Sequence, residues 1–151
     1  TKMRIAMNRS GYAVRGLQHQ RVLELIEENH WRITDRITPV GADLEHCTSI
    51  QWLICDGEWN LVENTLKVAL DIGKVKVELG CDGGEPAGMS LVRAGESMAG
   101  AGGDAQVIRG WYSPTYALKV PALSLQWTVR HRGLVTLTTD WYLMPNLRMG
   151  E

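Results

Sequence analysis

The residues able to do chemistry are few and scattered. Four histidines, His19, His30, His46 and His131, fall in different segments of a 151-residue chain. None has the His-x-His or His-Glu-x-x-His spacing that builds a metal site within one element. In an extended strand residues i and i+2 share a face. His19 therefore sits beside Arg21, whereas Glu45 and His46 point to opposite sides. His30 and His131 fall where hairpin loops are expected, which makes a solvated side chain the plain reading. Cys47, Cys55 and Cys81 form no Cys-x-x-Cys pair and read as thiols that pack as small hydrophobes. Three thiols still leave one disulfide open. No metal or cofactor site is expected.

Two further segments resemble catalytic motifs only in outline. Residues 80–88, GCDGGEPAG, are rich in glycine but lack the Lys-Ser/Thr of a phosphate loop. Asp82 and Glu85 would repel phosphate there, so a β-turn loop is expected. Ser113 has no Gly-x-Ser-x-Gly elbow around it and is no candidate nucleophile. The catalytic set is therefore empty.

Aromatic rings are the more distinctive resource, with six tryptophans and no phenylalanine. A tryptophan can stack on a sugar ring but more often fills a core with its indole N–H satisfied. Trp31, Trp52 and Trp127 lie inside alternating runs and read as core. Trp59 follows Cys-Asp-Gly-Glu in a turn and is the candidate exposed ring for carbohydrate, together with Tyr112. In GWYSPTY, residues 110–116, Pro114 cannot donate to a β-ladder and biases Ser113 away from helical angles. This segment is expected to bend between two strands or lie on a sheet edge, with Trp111 and Tyr116 closing over the end of the fold. Tyr112 then points the other way.

The elements positioning these groups follow a period of two. Val22, Glu24 and Ile26 alternate with Leu23, Leu25 and Glu27, and Trp31, Ile33, Asp35 and Ile37 alternate with Arg32, Thr34 and Arg36. Residues 28–30 read as the hairpin loop between them. Further strands are expected at 44–54, 58–62, 66–71, 74–79, 89–93, 105–111, 117–130 and 134–142, the last two joined by a tight turn at 131–133. Only WNLVENTLKVALDI, residues 59–72, competes as a helix, and its alternating second half favours strand. ESMAGAGGDA, residues 96–105, reads as an exposed loop. The result is an all-β fold, an antiparallel β-sandwich of about ten strands, as a single domain over 1–151.

Composition excludes several partners. Sixteen basic residues against 17 acidic ones leave a formal net charge of −1, so no electrostatic case exists for nucleic acid or an anionic membrane. No apolar run reaches the roughly 18 residues of a membrane helix. TKMRIAMNRSGY shows no secretory leader pattern, which leaves the compartment unread.

Two segments together resemble the C-terminal part of heparinase II/III-like polysaccharide lyases. In residues 16–52 the family's His-x-Arg pair opening a strand matches His19 and Arg21. Its hydrophobic-Asp pair matches Ile33 and Asp35, and its Gly-x-x-x-Glu-His stretch matches Gly41, Glu45 and His46. In residues 107–143 the family's Gly-x-x-Ser-x-x-Tyr-Gly ending matches Gly110, Ser113 and Tyr116, but Ala117 stands where the family has glycine. The resemblance covers roughly residues 11–143 and rests on the order and spacing of loose motifs. It implies a supersandwich-like β-domain that follows an N-terminal α/α toroid in an enzyme cleaving uronate-containing polysaccharide by β-elimination. The family's catalytic Tyr and His and its metal ligands come from the toroid and from an earlier His-rich segment absent here. No catalytic residue is therefore carried over, and His19, Arg21, Asp35, Trp111, Ser113 and Tyr116 are expected to be structural.

The first functional expectation is thus a non-catalytic C-terminal β-sandwich whose partner is the toroid domain of the same parent chain. Its compartment would be periplasmic or secreted if the parent is a bacterial lyase. β-Elimination needs a neutraliser for the uronate carboxylate, a base and an acid, and no such set is visible in the sequence. The alternatives are an autonomous carbohydrate-binding sandwich, with polysaccharide as partner, or a structural module mediating oligomer contacts.

Overall fold

A computed structural model describes residues 3–9, 16–41, 44–100 and 108–146. Twelve strands are present among them: β1 (Arg4–Arg9), β2 (Leu17–Glu27), β3 (His30–Pro39), β4 (His46–Cys55), β5 (Glu58–Val62), β6 (Thr65–Leu70), β7 (Gly73–Asp82), β8 (Glu85–Arg93), β9 (Glu96–Gly100), β10 (Trp111–Tyr112), β11 (Val120–His131) and β12 (Val135–Pro145). They form two antiparallel sheets without an α-helix among the described residues, the all-β sandwich class expected from the alternation.

The chain divides into two compact units. One comprises residues 1–45, 58–84 and 131–151 and holds a seven-stranded sheet in the order β1-β2-β3-β12-β7-β6-β5. The other comprises residues 46–57 and 85–130 and holds a five-stranded sheet in the order β10-β11-β8-β9, with β4 also pairing with β11.

Register decides what each face of the seven-stranded sheet carries. Arg21 pairs with Asp35, Asp35 with Leu137 and Leu137 with Cys81, while Leu66 pairs with Val77 and Val77 with Trp141. Period two then places Leu66, Val68, Val77, Leu79, Val135 and Leu137, all fully or almost fully buried, on one apolar face. The opposite face carries Lys67, Lys76, Glu78, Thr138, Asp140, Arg32 and Glu24. Residues 65–70 alternate half-buried, buried, exposed, buried as a strand must, so the helical alternative for 59–72 does not occur. In the five-stranded sheet the core is the long run of β11, where Ala122, Leu123, Ser124 and Leu125 are all buried together with Trp127 and Val129.

Several boundaries differ from the sequence reading. β7 and β8 extend into residues 80–88, leaving only Gly83 and Gly84 as the turn instead of a nine-residue loop. β9 occupies 96–100, within the expected loop 96–105, whose remainder lies outside the described residues along with 105–107 of the expected strand 105–111. Residues 108–110 bend, because Gly110 takes φ +75° and an added Cβ would meet backbone atoms of Val92 and Ala94 at 2.7 Å. β1 is not among the strands expected from alternation. It is short, polar at both ends, and becomes a strand only by pairing with β2 from Arg4 opposite Glu24 to Arg9 opposite His19.

Candidate functional site

Two clusters of the same design organise the seven-stranded sheet. In β2 the i, i+2 spacing puts His19 and Arg21 on one face, and β3 presents Asp35 directly opposite Arg21. Arg21 donates from Nε at 2.7 Å and Nη2 at 2.9 Å to the two carboxylate oxygens, and His19 Nε2 lies 2.5 Å from Oδ1. Asp35 is fully buried on the apolar face. Burial pushes its carboxyl up, but the hydrogen bonds from His19 and Arg21 and the Arg21 charge together outweigh this and hold it below the ordinary value.

The arrangement repeats one strand along. His30 and Arg32 of β3 share a face, and Asp140 of β12 stands opposite Arg32. Arg32 Nε and Nη2 reach the Asp140 oxygens at 2.9 and 3.1 Å, and His30 Nε2 lies 2.6 Å from Oδ1. Asp35 and Arg32 are three residues apart in β3, an odd step, so the two clusters lie on opposite faces of the sheet. The Asp140 carboxyl is raised by burial and lowered more by Arg32 and His30, with the net effect downward.

On the polar face this second cluster continues. The His30 ring stacks on Tyr142 with centroids 4.3 Å apart and planes at 19°, and Lys76 Nζ sits 3.9 Å from the Tyr142 centroid. Lys76 also meets Glu78 at 2.9 Å. Burial and the nearby Glu78 carboxylate raise the Tyr142 pKa. A His, a Tyr, an Arg and a Lys therefore do come together, which the sequence reading did not foresee. Arg32 is already engaged by a bidentate carboxylate, and a phenol with a raised pKa stays protonated at neutral pH. The sequence carries a signal for this cluster, a second His-x-Arg at His30 and Arg32. His30, expected in a hairpin loop, opens β3 and is half-buried, because the turn is only Glu28 and Asn29. His131 likewise is buried at the end of β11, its Nδ1 2.9 Å from the Gly133 carbonyl oxygen.

The five-stranded unit has its own polar ties. Arg93 of β8 forks onto Asp56, donating from Nε at 2.7 Å, and this partner lowers the Asp56 pKa. Arg109 donates to Ser90 Oγ, Ser124 Oγ and the Ser124 carbonyl oxygen at 2.9–3.2 Å, and burial lowers its pKa.

The sugar-stacking candidates occupy different sheets. Trp59 lies in edge strand β5 opposite Val68, so it belongs to the apolar face and is half-buried. Tyr112, in β10, is 52% exposed. Trp111 and Tyr112 pair with Pro121 and Val120, and residues 113–119 form the bend joining β10 to β11. Ser113 Oγ donates to the Thr115 carbonyl oxygen at 2.8 Å, which tightens that bend. Trp111 is half-buried with Lys119 Nζ 4.9 Å from a ring centroid. Tyr116 is 98% exposed and so closes over nothing, and the next residue, Ala117, takes a positive φ of +60°. Of the tryptophans read as core, Trp127 is buried, whereas Trp31 and Trp52 are half-buried. Cys47, Cys55 and Cys81 are free thiols. Among the described residues no group of three His, Cys, Asp or Glu side chains is placed to hold a metal ion.

No family model matches the sequence, and no curated protein does either. Solved structures of similar fold include a heparinase III with methylated lysines, at TM-score 0.69 and 14% identity over 96% of this chain and 20% of that one. The heparan sulfate lyase HepC of Pedobacter heparinus matches at TM-score 0.69 and 13% identity over 100% of this chain and 21% of that one. A further heparinase III matches at TM-score 0.64 and 12% identity over 95% and 20%. This chain thus spans about a fifth of the length of each of these structures, and the shared property is the fold.

Proposed function

We propose that this chain is the C-terminal β-sandwich domain of a larger polysaccharide lyase of the heparinase III kind, and that it supports the catalytic toroid domain without chemistry of its own. The observation that carries this reading is the fold likeness, which takes in nearly all of this chain and only a fifth of each lyase chain. The site geometry supports the non-catalytic part. Both carboxylates, Asp35 and Asp140, are saturated by Arg and His, which suits struts between strands better than proton transfer to a substrate.

The test is an unsaturated-uronate assay on heparan sulfate with the 151-residue chain and with the longer polypeptide that carries it. The expected result is no turnover by the short chain and turnover by the longer one. Turnover by the short chain that is lost in His30→Ala or Tyr142→Phe would overturn the reading, since those side chains form the one His/Tyr/Arg/Lys assembly among the described residues.

A second reading, direct carbohydrate binding, is favoured by one observation: Tyr112, just before the 113–119 bend, and Tyr116, within it, are exposed rings on one short segment with Lys119. Retardation on a heparan sulfate affinity gel, abolished by Tyr112→Ala with Tyr116→Ala, would select it.

A further inference from the structure

Burial on the apolar face of the seven-stranded sheet is complete at its centre, where Asp35 and Ile37 of β3 are also buried, and falls away toward the β1 edge. Val77 and Leu137, in β7 and β12, are completely buried. Next come Trp31 and Ile33 of β3 and Leu23 and Leu25 of β2, all half-buried. In β1, Ile5 and Met7 are 46% and 55% exposed. Register makes these residues one surface, with Ile5 opposite Leu23, Leu23 opposite Ile33, and Leu25 opposite Trp31. Apolar surface that runs on unbroken from a buried core is characteristic of an interaction site.

We propose that this β1–β2–β3 surface is a docking face, and that its occupant is an apolar surface of the remaining, larger part of the same lyase polypeptide. The inference rests on the reading above and adds the place of contact. Two features favour that occupant over a second copy or a charged partner. The structurally similar chains are about five times longer than this one, so most of such a chain lies outside the fold described here. The buried carboxylate on this face, Asp35, is already held by Arg21 and His19, so the contact that Ile5, Leu23, Leu25, Trp31 and Ile33 offer is apolar.

The test compares two lengths of chain, each with and without Ile5→Lys plus Met7→Lys. In the 151-residue chain both residues meet solvent, so the pair of replacements should leave the thermal midpoint within about 2 °C, as surface substitutions do, and should cut 8-anilinonaphthalene-1-sulfonate fluorescence severalfold. In the longer polypeptide the dye should bind the unmodified protein weakly, and the same replacements should lower the midpoint by more than about 5 °C, the scale of a lost buried contact. Equal midpoint shifts at the two lengths, or equal dye binding by the two unmodified proteins, would overturn the proposal. A concentration-dependent dimer of the short chain that Ile5→Lys and Met7→Lys abolish would overturn it in favour of a second copy. The comparison is independent of activity: an inactive longer polypeptide defeats the lyase reading yet still reports whether this face is covered.

Discussion

Replacing Asp35 with asparagine removes the carboxylate charge that Arg21 and His19 share while keeping the side-chain volume. Breaking a buried ion pair by deleting one partner costs roughly 3–5 kcal/mol, because the other charge is left desolvated. Here the Asp35 side chain is 1% exposed, but Arg21 is 32% and His19 17% exposed, so water can reach both partners. That places the cost near the lower end, at about 3 kcal/mol. Asp140→Asn is the internal control, having the same partners by type. Asp140 is 13% and Arg32 42% exposed, and its loss should cost about 1.5 kcal/mol. Urea denaturation at pH 7, followed by tryptophan fluorescence, reads both. With a urea slope of about 2 kcal/mol/M the two midpoints should fall by about 1.5 M and 0.7 M. Because Asp35 sits on the apolar face, Asp35→Leu combined with Arg21→Met should recover most of the loss. Equal shifts for Asp35→Asn and Asp140→Asn, or a shift for Asp35→Asn under about 0.5 M, would refute the argument that burial sets the difference.

Three further outcomes follow from the same geometry. Both aspartates are held below their ordinary pKa in the folded state, so the unfolded chain takes up protons first; their contribution is complete above the unfolded aspartate pKa of about 3.9 and is lost as pH falls through the folded value. Thermal midpoints should therefore be flat in this contribution from pH 7 to 5 and drop below about pH 4, with a shallower drop in Asp35→Asn. Ala117 carries a side chain at φ +60°, a strain of about 1–2 kcal/mol partly offset by the greater freedom of an unfolded glycine, so Ala117→Gly should stabilise by about 0.5–1 kcal/mol; a lower urea midpoint would contradict it. Trp111→Ala should cost about 2 kcal/mol, less than a fully buried ring, and Tyr112→Ala under about 1 kcal/mol; equal denaturation midpoints would mean that the bend does not depend on its half-buried ring.

Local pattern determined much of this protein. Alternation over residues 17–39 and 120–142 specified strands, because a period of two is a property of the extended backbone itself and needs no partner to be read. Pro114 and Ser113 marked the bend before β11 by the same local logic, since a missing N–H and a restricted preceding residue act wherever the segment lies. The resemblance singled out His19, Arg21 and Asp35 through order and spacing along the chain. Pairing decided the rest. Asp140 joins His30 and Arg32 across 108–110 residues of sequence, and only the β3–β12 register brings them together. β1 and β9 carry too few apolar residues to declare themselves and are strands because β2 and β8 offer them a ladder. Trp59, expected in a turn with its ring exposed, is half-buried because register assigns it to the apolar side of β5. A side chain's type is written in the chain, but the face it occupies and the charge it meets come from the strand beside it, and hydrogen bonding between distant segments alone selects that strand.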